Sequence, residues 1–358
     1  GESGAIRSDA ETDFLGYDHV EAGCEVVALY KDGDAVSSLG AGEDGAIVLD
    51  STPFYAESGG QVGDTGALET NGATFEVADT QKSGKANVHY GTVQSGSIST
   101  GDSVTAKVDA ERRAAIVLNH SATHLMHAAL RQVLGDHVQQ KGSLVAPDRL
   151  RFDFLHYEAV TPEQLGKIED IVNEQVRRNI PAEINLMKYD DAVASGAIAL
   201  FGEKYEDEVR VLRLGDGFSV ELCGGTHVNS TGDIGVFKIT SEGGVAAGVR
   251  RIEAVTGKGA LDWIGANQRS LLEIAGLLKS QPDQAAEKVV QLLKSNKELE
   301  KKLATAKHAL ITGEAAGQED NVQVVAGVKV LASRVDGVDA RAMREAIDRV
   351  KDKLKNAI

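Results

Sequence analysis

The sequence predicts an α+β fold that opens with a small β-barrel. Short strand-like runs, separated by clusters of Gly, Asp, Asn and Ser, fill residues 1–110. Helical and strand-like patterns alternate through residues 111–257, and long helical patterns follow over residues 258–316. Residues 317–358 combine strand-like runs with one amphipathic helix, which we interpret as a truncated α/β piece. We therefore expect four parts with these boundaries.

The strands of the first part are short and evenly spaced. They are expected at residues 25–30, 46–50, 74–79 and 103–108. Strands of this kind, each ended by turn-forming residues, are typical of a small barrel or sandwich. Between the second and third strands lies a glycine pair, Gly59 and Gly60. Two glycines permit either a tight turn or the close approach of another backbone.

The second part begins with a long helix. Its apolar residues recur at helical spacing, and they are Ala115, Leu118, Ala122, Leu125, Met126, Ala129 and Val133. A second helix is expected after Thr161, which serves as its N-cap, because Pro162 suits the first turn and Gln164 completes a capping box. This helix is expected to run to Asn179, because Pro181 follows and ends it. Strands are expected at residues 150–155, 209–214, 234–240 and 249–255.

The third part carries a heptad pattern. Its positions alternate in spacings of three and four, and they are Val289, Leu292, Asn296, Leu299, Leu303, Ala306 and Leu310. This pattern is typical of a coiled-coil seam, whose single polar member, Asn296, would determine the register of pairing. Because another helical pattern at residues 271–278 lies just before it, we expect an intrachain helical hairpin. Pairing with another subunit is the alternative.

Composition excludes several classes of protein. The formal net charge of −16 argues against a general nucleic-acid binder and leaves only local basic pairs, such as Arg250 and Arg251, for phosphate contacts. No apolar run has the length of a membrane span, and no signal peptide opens the chain. The two cysteines, Cys24 and Cys223, cannot form a disulfide framework, so we expect a reducing, cytoplasmic location.

Two pairs of candidate metal ligands lie far apart in the sequence. His120 and His124 are four residues apart in the first helix, so both imidazoles leave the same helix face. Cys223 and His227 begin and end the segment Cys-Gly-Gly-Thr-His, whose glycines indicate a tight loop. Two imidazoles from a helix, with a thiolate and an imidazole from a loop, can surround one ion. This ligand set favours zinc.

Two other interpretations of these residues stay open. The histidines can be core residues beside a buried free thiol, or Cys223 can be a nucleophile with His227 as its base. The nucleophile interpretation leaves His120 and His124 without a role. The Glu of the zinc-protease motif HExxH is missing, because Ser121 occupies its place. The sequence therefore shows no local general base.

Several motifs together resemble those of one known family. They are Asn119-His-Ser-Ala-Thr-His-Leu-Met-His-Ala-Ala-Leu130, Gln140-Lys-Gly-Ser143, Leu222-Cys-Gly-Gly-Thr-His227, Gly248-Val-Arg-Arg-Ile-Glu253 and the glycine-containing run at residues 52–64. They resemble the editing domain of bacterial alanyl-tRNA synthetases, and the resemblance covers essentially the whole chain. It implies a fragment of such an enzyme. Nothing in the sequence resembles the ATP-binding, aminoacylating domain, which would precede Gly1.

The resemblance implies an activity and a substrate. The reaction would be zinc-dependent hydrolysis of the ester that wrongly joins serine or glycine to the alanine tRNA, as part of an alanine–tRNA ligase. A synthetic site that accepts alanine rejects glycine poorly and an added hydroxyl only moderately, so a second site is needed. The resemblance also implies that the glycine pair lies near the editing cleft. The chain would lead into a C-terminal domain that helps bind tRNA and often dimerises.

The resemblance further implies roles for individual residues. Thr123 and Gln140 match positions placed to sense the serine hydroxyl, and Thr123 directly precedes His124 on the helix. Arg250 matches a position near the site, where it would hold an RNA phosphate or the terminal adenosine. Zinc would either position the amino acid or polarise water.

Two alternative functions use the same motifs. One is a free-standing trans-editing deacylase, and the other is a non-catalytic tRNA-binding module with structural zinc. The start at Gly1 without an initiating Met, and the end at Ile358, favour a piece of a longer enzyme.

Overall fold

Residues 6–200, 205–316, 322–332 and 340–355 are described by a computed structural model. Eleven strands precede the first helix in this part of the chain: β1 (Asp13–Phe14), β2 (Glu21–Lys31), β3 (Asp34–Val36), β4 (Ser38–Gly40), β5 (Asp44–Leu49), β6 (Ser51–Thr52), β7 (Gly66–Glu69), β8 (Thr74–Ser83), β9 (Ala86–Ser95), β10 (Ser97–Ser99) and β11 (Ser103–Val108).

Six of these strands close into a barrel. Antiparallel neighbours follow the order β11, β7, β8, β9, β5 and β2, and β11 pairs back onto β2. Inside it, alternate residues such as Val104, Ala106 and Val108 of β11 join the fully buried Phe75 and Leu49. Full burial of a Phe or Leu side chain stabilises a fold by about 1.5–3 kcal/mol. The predicted small β-barrel is confirmed.

The following part mixes helices and strands, as predicted. It contains α1 (Ala110–Leu134), β12 (Gln140–Val145), β13 (Leu150–Leu155), α2 (Pro162–Arg178), β14 (Glu183–Lys188), α3 (Tyr189–Ala194), β15 (Glu208–Leu214), β16 (Ser219–Leu222), β17 (Phe237–Ala246) and β18 (Val249–Thr256). One antiparallel sheet has the order β12, β13, β18, β17, and a second has the order β14, β15, β16.

The four-stranded sheet packs against α1 and α2. Alternate residues Leu150, Phe152 and Phe154 of β13 share one buried cluster with Leu125 of α1 and Val172 of α2. The predicted capping box of α2 is present, with the backbone N–H groups of residues 161 and 164 each donating to the other residue's side chain. The strand expected at residues 234–240 starts only at residue 237, because Thr231–Ile234 form a 3₁₀ turn.

A buried ion pair joins the barrel to α1. The guanidinium of Arg113 contacts the carboxylate of Asp64, and these side chains are 6% and 1% exposed. Arg113 also donates to the carbonyl oxygens of Gly16 and Pro53, at 2.7 and 2.8 Å. Both partners therefore have hydrogen-bond partners that compensate for burial of their charges. This pair holds the barrel against the helix that carries the candidate metal ligands.

The chain divides into two compact units, Gly1–Ile264 and Gly265–Ile358. The barrel and the α+β part both lie in the first unit. α4 (Gly257–Leu277) begins in the first unit and ends in the second. The rest of the second unit contains α5 (Ala285–Ala316), β19 (Gln323–Val325), β20 (Val328–Val330) and α6 (Ala340–Leu354).

The heptad positions lie on α5, but burial of the seam in an intrachain hairpin is not confirmed. Val289, Leu292, Leu299 and Leu303 are 39–59% exposed. Asn296 is also exposed, and its amide donates to Glu300 at 3.4 Å. The side chain of the last heptad position, residue 310, lies outside the described residues. None of the described helices combines the length and the hydropathy that a membrane span requires.

Candidate metal centre

Helix α1 and the loop after β16 bring the four predicted metal ligands together. His120 and His124 leave one face of α1, with ring centroids 5.0 Å apart. Cys223 directly follows β16, and its sulfur lies 3.4 Å from Nε2 of His120. One potential ligand atom from each of these residues and His227 lies within 4.8 Å of the others. The arrangement surrounds a single point with three imidazoles and one thiol.

Unpaired nitrogens in this cluster fit a metal ion. Nε2 of His124 and both ring nitrogens of His227 are buried without a hydrogen-bond partner in the described part of the chain. Buried polar atoms nearly always have a hydrogen-bond partner, so these nitrogens indicate a site for a bound ligand. Three imidazoles and one thiolate are the donor set of a zinc site. The residues present therefore fit zinc.

Neighbouring charges favour the ligand forms of the loop residues. Burial raises the pKa of the Cys223 thiol, but the neighbouring imidazoles, that of His120 first, outweigh burial and hold this pKa well below its usual range. The thiolate is the form that binds metals. Burial lowers the pKa of His227 to about 3, so its ring is neutral near pH 7. A neutral imidazole has a free lone pair for a metal.

Glu221 lies between two histidines of α1. Its carboxylate oxygens are 3.2 Å from Nδ1 of His124 and 3.0 Å from Nδ1 of His127. Burial raises the pKa of Glu221, but these two rings outweigh burial and lower the pKa to about 2. A carboxylate at this place keeps a proton on Nδ1 of His124, which leaves Nε2 as the ligand atom. Sequence reasoning missed Glu221, although it stands only two residues before Cys223.

A cavity of about 290 Å³ opens beside the candidate ligands. Barrel residues, including Phe14, Tyr55 and Lys82, form one wall, and residues of α1, β12 and β16, including His127, form another. Both predicted specificity residues, Thr123 and Gln140, line this cavity. The structure thus brings them together with the ligand cluster.

Thr123 is oriented by its own helix. Its hydroxyl donates to the carbonyl oxygen of Asn119 at 2.8 Å. The hydroxyl proton is therefore engaged, and the lone pairs of Oγ1 remain available to accept a hydrogen bond. A ligand hydroxyl in the cavity would act as the donor.

Arg250 is not brought into the cavity. Its guanidinium pairs with the carboxylate of Glu242 through contacts of 2.6 and 2.9 Å. It does not contribute to the wall formed by the described residues. Its predicted contact with RNA stays a prediction.

The two glycines of the barrel motif have different surroundings. Gly60 has a φ of +87°, and a Cβ there would lie 2.8 Å from the carbonyl oxygen of Ser143. Its missing side chain therefore permits close packing against β12. Gly59, with a φ of +58°, lines the cavity. The close approach of RNA that was expected for the glycine pair therefore stays a prediction for Gly59, because packing against β12 already accounts for Gly60.

Two family models match parts of the chain. The model described as tRNA synthetases class II (A) matches residues 3–112, which contain the barrel. The model described as the threonyl and alanyl tRNA synthetase second additional domain matches residues 209–253, which contain Cys223 and His227. The barrel residues that line the cavity lie in the first matched segment, and the lining residues of β16 and its following loop lie in the second.

Complete proteins match over nearly the whole chain. The alanine–tRNA ligases of Stenotrophomonas maltophilia, Pseudomonas entomophila and Shewanella loihica are 55%, 54% and 52% identical to it. Each match covers 99% of this chain and 40% of the relative. The chain thus spans about two fifths of the length of these relatives. Over nearly its whole length the chain is therefore similar to one part of these alanine–tRNA ligases.

Proposed function

We propose that the chain carries out the editing reaction of an alanine–tRNA ligase. The reaction is zinc-dependent hydrolysis of the ester that joins serine or glycine to the alanine tRNA. The observation that carries this proposal is the cluster of His120, His124, Cys223 and His227 beside a cavity lined by Thr123. The name of the relatives supports a tRNA substrate, since alanine–tRNA ligases act on tRNA.

The cluster would hold the zinc ion. When bound, zinc supplies a Lewis acid that can polarise an ester carbonyl or a water molecule. Glu221 maintains the tautomer of His124 that turns Nε2 toward the other ligands. The chain's own residues would then bind the amino acid, exclude competing water and move the proton.

Thr123 would distinguish serine from alanine. Because its hydroxyl already donates to Asn119, Oγ1 accepts the hydrogen bond of a serine hydroxyl. The methyl group of alanine offers no donor and would leave this oxygen unpaired. A glycyl ester has no side-chain hydroxyl to donate to Oγ1, so this hydrogen bond would act on serine alone.

His127 would take the proton from the attacking water. Its ring lines the cavity, and Nδ1 lies 3.0 Å from the carboxylate of Glu221. Nε2 is buried and has no hydrogen-bond partner within the described ranges. A carboxylate that accepts a hydrogen bond from one ring nitrogen holds the proton there, so the other nitrogen is free to act as the base. Many hydrolases use this arrangement. The sequence lacks a Glu in the zinc-protease position, and His127 supplies a base of another kind.

Lys82 is a candidate contact for the RNA backbone. The net charge of −16 means that phosphate binding must depend on local cations. Lys82 lines the barrel side of the cavity and is exposed. Its ammonium group would meet the phosphate of the terminal nucleotide while the amino acid lies beside the zinc ligands.

The test is the release of serine from seryl-tRNA(Ala) by the purified chain. The proposal expects release above the spontaneous rate, with a marked preference over alanyl-tRNA(Ala). A chain that binds tRNA and zinc but releases neither amino acid would instead be a non-catalytic binding module.

A further inference from the structure

Gln61, in the connection that leads into the barrel strand β7, reaches the candidate metal centre. Its side chain is 0% exposed. Oε1 lies 2.7 Å from Nδ1 of His120 and 3.0 Å from the backbone nitrogen of Thr226. The amide nitrogen of Gln61 donates to the hydroxyl of Thr226 at 2.8 Å. One residue of this connection therefore contacts both the helix and the loop that carry the ligands.

These contacts determine the tautomer of His120. The backbone N–H of Thr226 can only donate, so the Gln61 atom that faces it must be the carbonyl oxygen. The same oxygen faces Nδ1 of His120, which must then carry the proton. Nε2 is left with its lone pair, and this atom lies 3.4 Å from the sulfur of Cys223. Gln61 thus presents the nitrogen of His120 that faces the other ligands.

A glycine makes this contact possible. A Cβ at Gly225 would lie 2.2 Å from Cε1 of His120 and 2.9 Å from Oε1 of Gln61. Both distances are far below a normal contact, so any side chain at this position would push the ring and the amide apart. The second glycine of the Cys-Gly-Gly-Thr-His segment therefore makes room for the hydrogen bond between barrel and ligand.

Tyr17, in the turn that precedes the barrel strand β2, holds the same loop. The hydroxyl of Tyr17 donates to the carbonyl oxygen of Gly224. The guanidinium of Arg210 lies 3.8 Å above the Tyr17 ring and donates to the carbonyl oxygen of Gly225 at 2.8 Å. The loop between Cys223 and His227 is therefore fastened to the barrel at more than one point.

We propose that Gln61 is a positioning residue of the metal centre, and that the barrel is an integral part of this centre. Gln61 does not line the cavity wall of the described residues, so it acts through His120 and Thr226. Outer hydrogen bonds of this kind orient a ligand and increase its basicity. The inference rests on the proposed binding of zinc.

Zinc affinity tests the proposal on the full chain, with Gln61→Leu and Gln61→Glu compared by chelator competition. Gln61→Leu removes the acceptor and should weaken zinc binding about 10–100-fold. It should also change the visible absorption spectrum of the Co²⁺-loaded chain. Gln61→Glu keeps an acceptor for Nδ1–H, and the Thr226 hydroxyl can donate to its second oxygen, so it should bind zinc at least as tightly as wild type. Gln94→Leu is the matched control, since Gln94 is an exposed barrel residue paired with Glu76.

The outcomes separate this proposal from the one on which it rests. If the wild-type chain binds no zinc, the proposed metal centre is wrong. If the wild type binds zinc and folded Gln61→Leu binds it with unchanged affinity and Co²⁺ spectrum, the role of Gln61 is wrong. If Gln61→Leu does not fold, Gln61→Glu decides, because weaker zinc binding than in wild type would overturn the proposal.

Discussion

The sulfur of Cys223 lies 3.4 Å from Nε2 of His120, although 103 residues separate the two in the sequence. The contact joins a loop to a helix, and the rings of His124 and His227 complete the group. A thiol among three imidazoles has two chemical uses, as a metal ligand or as an activated nucleophile. Substitution distinguishes them.

Cys223→Ala and His120→Ala should each lower zinc content and serine release together. Zinc is bound by all four residues in our account, so loss of either one opens the coordination shell. Zinc content is measured on purified protein by elemental analysis, with an expected value of roughly one per wild-type chain. Release is measured on seryl-tRNA(Ala).

A nucleophilic Cys223 makes the opposite prediction. Cys223→Ala would then abolish hydrolysis but keep its zinc, and a thiol reagent would block activity without displacing metal. Cys24→Ala is the matched control, because Cys24 is buried in the barrel core, away from the four ligands.

Thr123→Val should reduce the preference for the seryl ester. The substitution keeps the shape of the side chain and removes the oxygen that would accept the serine hydroxyl. Loss of one neutral hydrogen bond costs about 1 kcal/mol, equivalent to about a fivefold narrowing of the ratio of seryl to alanyl hydrolysis. Zinc content should stay unchanged because no ligand is lost. An unchanged ratio would make Thr123 an ordinary helix residue.

His127→Gln should abolish most hydrolysis while zinc stays bound. General-base catalysis accelerates a reaction by about 10²–10⁴-fold, so the rate should decrease by a factor in this range. The glutamine amide can still donate to Glu221, which limits disturbance of His124. Single-turnover rates on seryl-tRNA(Ala), measured with zinc-loaded protein, are the readout. A rate within threefold of wild type would exclude His127 as the base.

The first two ligands were predictable because their pattern is local. The helical period places His120 and His124 on one face, whatever the rest of the fold does. The capping box at Thr161 is equally local, and both it and α2 are found where the sequence predicts them. The strand periodicities predicted four of the six barrel strands, whereas β7, β9 and the closure of the ring were not predicted.

Gln61 and Glu221 could not be predicted from the sequence, because their contacts with the histidines of α1 are not local. Gln61 and His120 are 59 residues apart, and Glu221 and His127 are 94 residues apart. No pattern near either residue indicates its partner, because only the packing of the barrel against α1 and β16 creates the contact. The heptads of α5 similarly predict a helix, whereas they do not specify what pairs with it.

His89 should make the barrel less stable at acidic pH. Nδ1 donates to the carbonyl oxygen of Ile47 and Nε2 accepts from the hydroxyl of Thr52, so the buried ring is neutral. Burial lowers the pKa of His89 to about 4. An unfolded histidine has a pKa of about 6.5, so only the unfolded chain takes up this proton between these values. The stability contributed by His89 is complete above pH 6.5 and declines as the pH falls to about 4.

The loss should amount to about 3 kcal/mol of unfolding free energy, since each pKa unit corresponds to about 1.4 kcal/mol. It is measured by urea unfolding of wild type and His89→Gln at pH 7 and pH 4. The stability difference between the two proteins should change by about this amount in favour of the variant at pH 4. A difference that does not depend on pH would show that the folded barrel accommodates the imidazolium.

The most direct measurement is the initial rate at which the full chain releases serine from seryl-tRNA(Ala) as its metal is removed and restored. The rate on alanyl-tRNA(Ala) is recorded beside it. We expect seryl ester to be hydrolysed faster than alanyl ester, the rate to be lost on chelation, and recovery with about one equivalent of zinc. Equal rates on the two esters that do not respond to chelation, or no hydrolysis by the zinc-loaded chain, would contradict zinc-dependent editing.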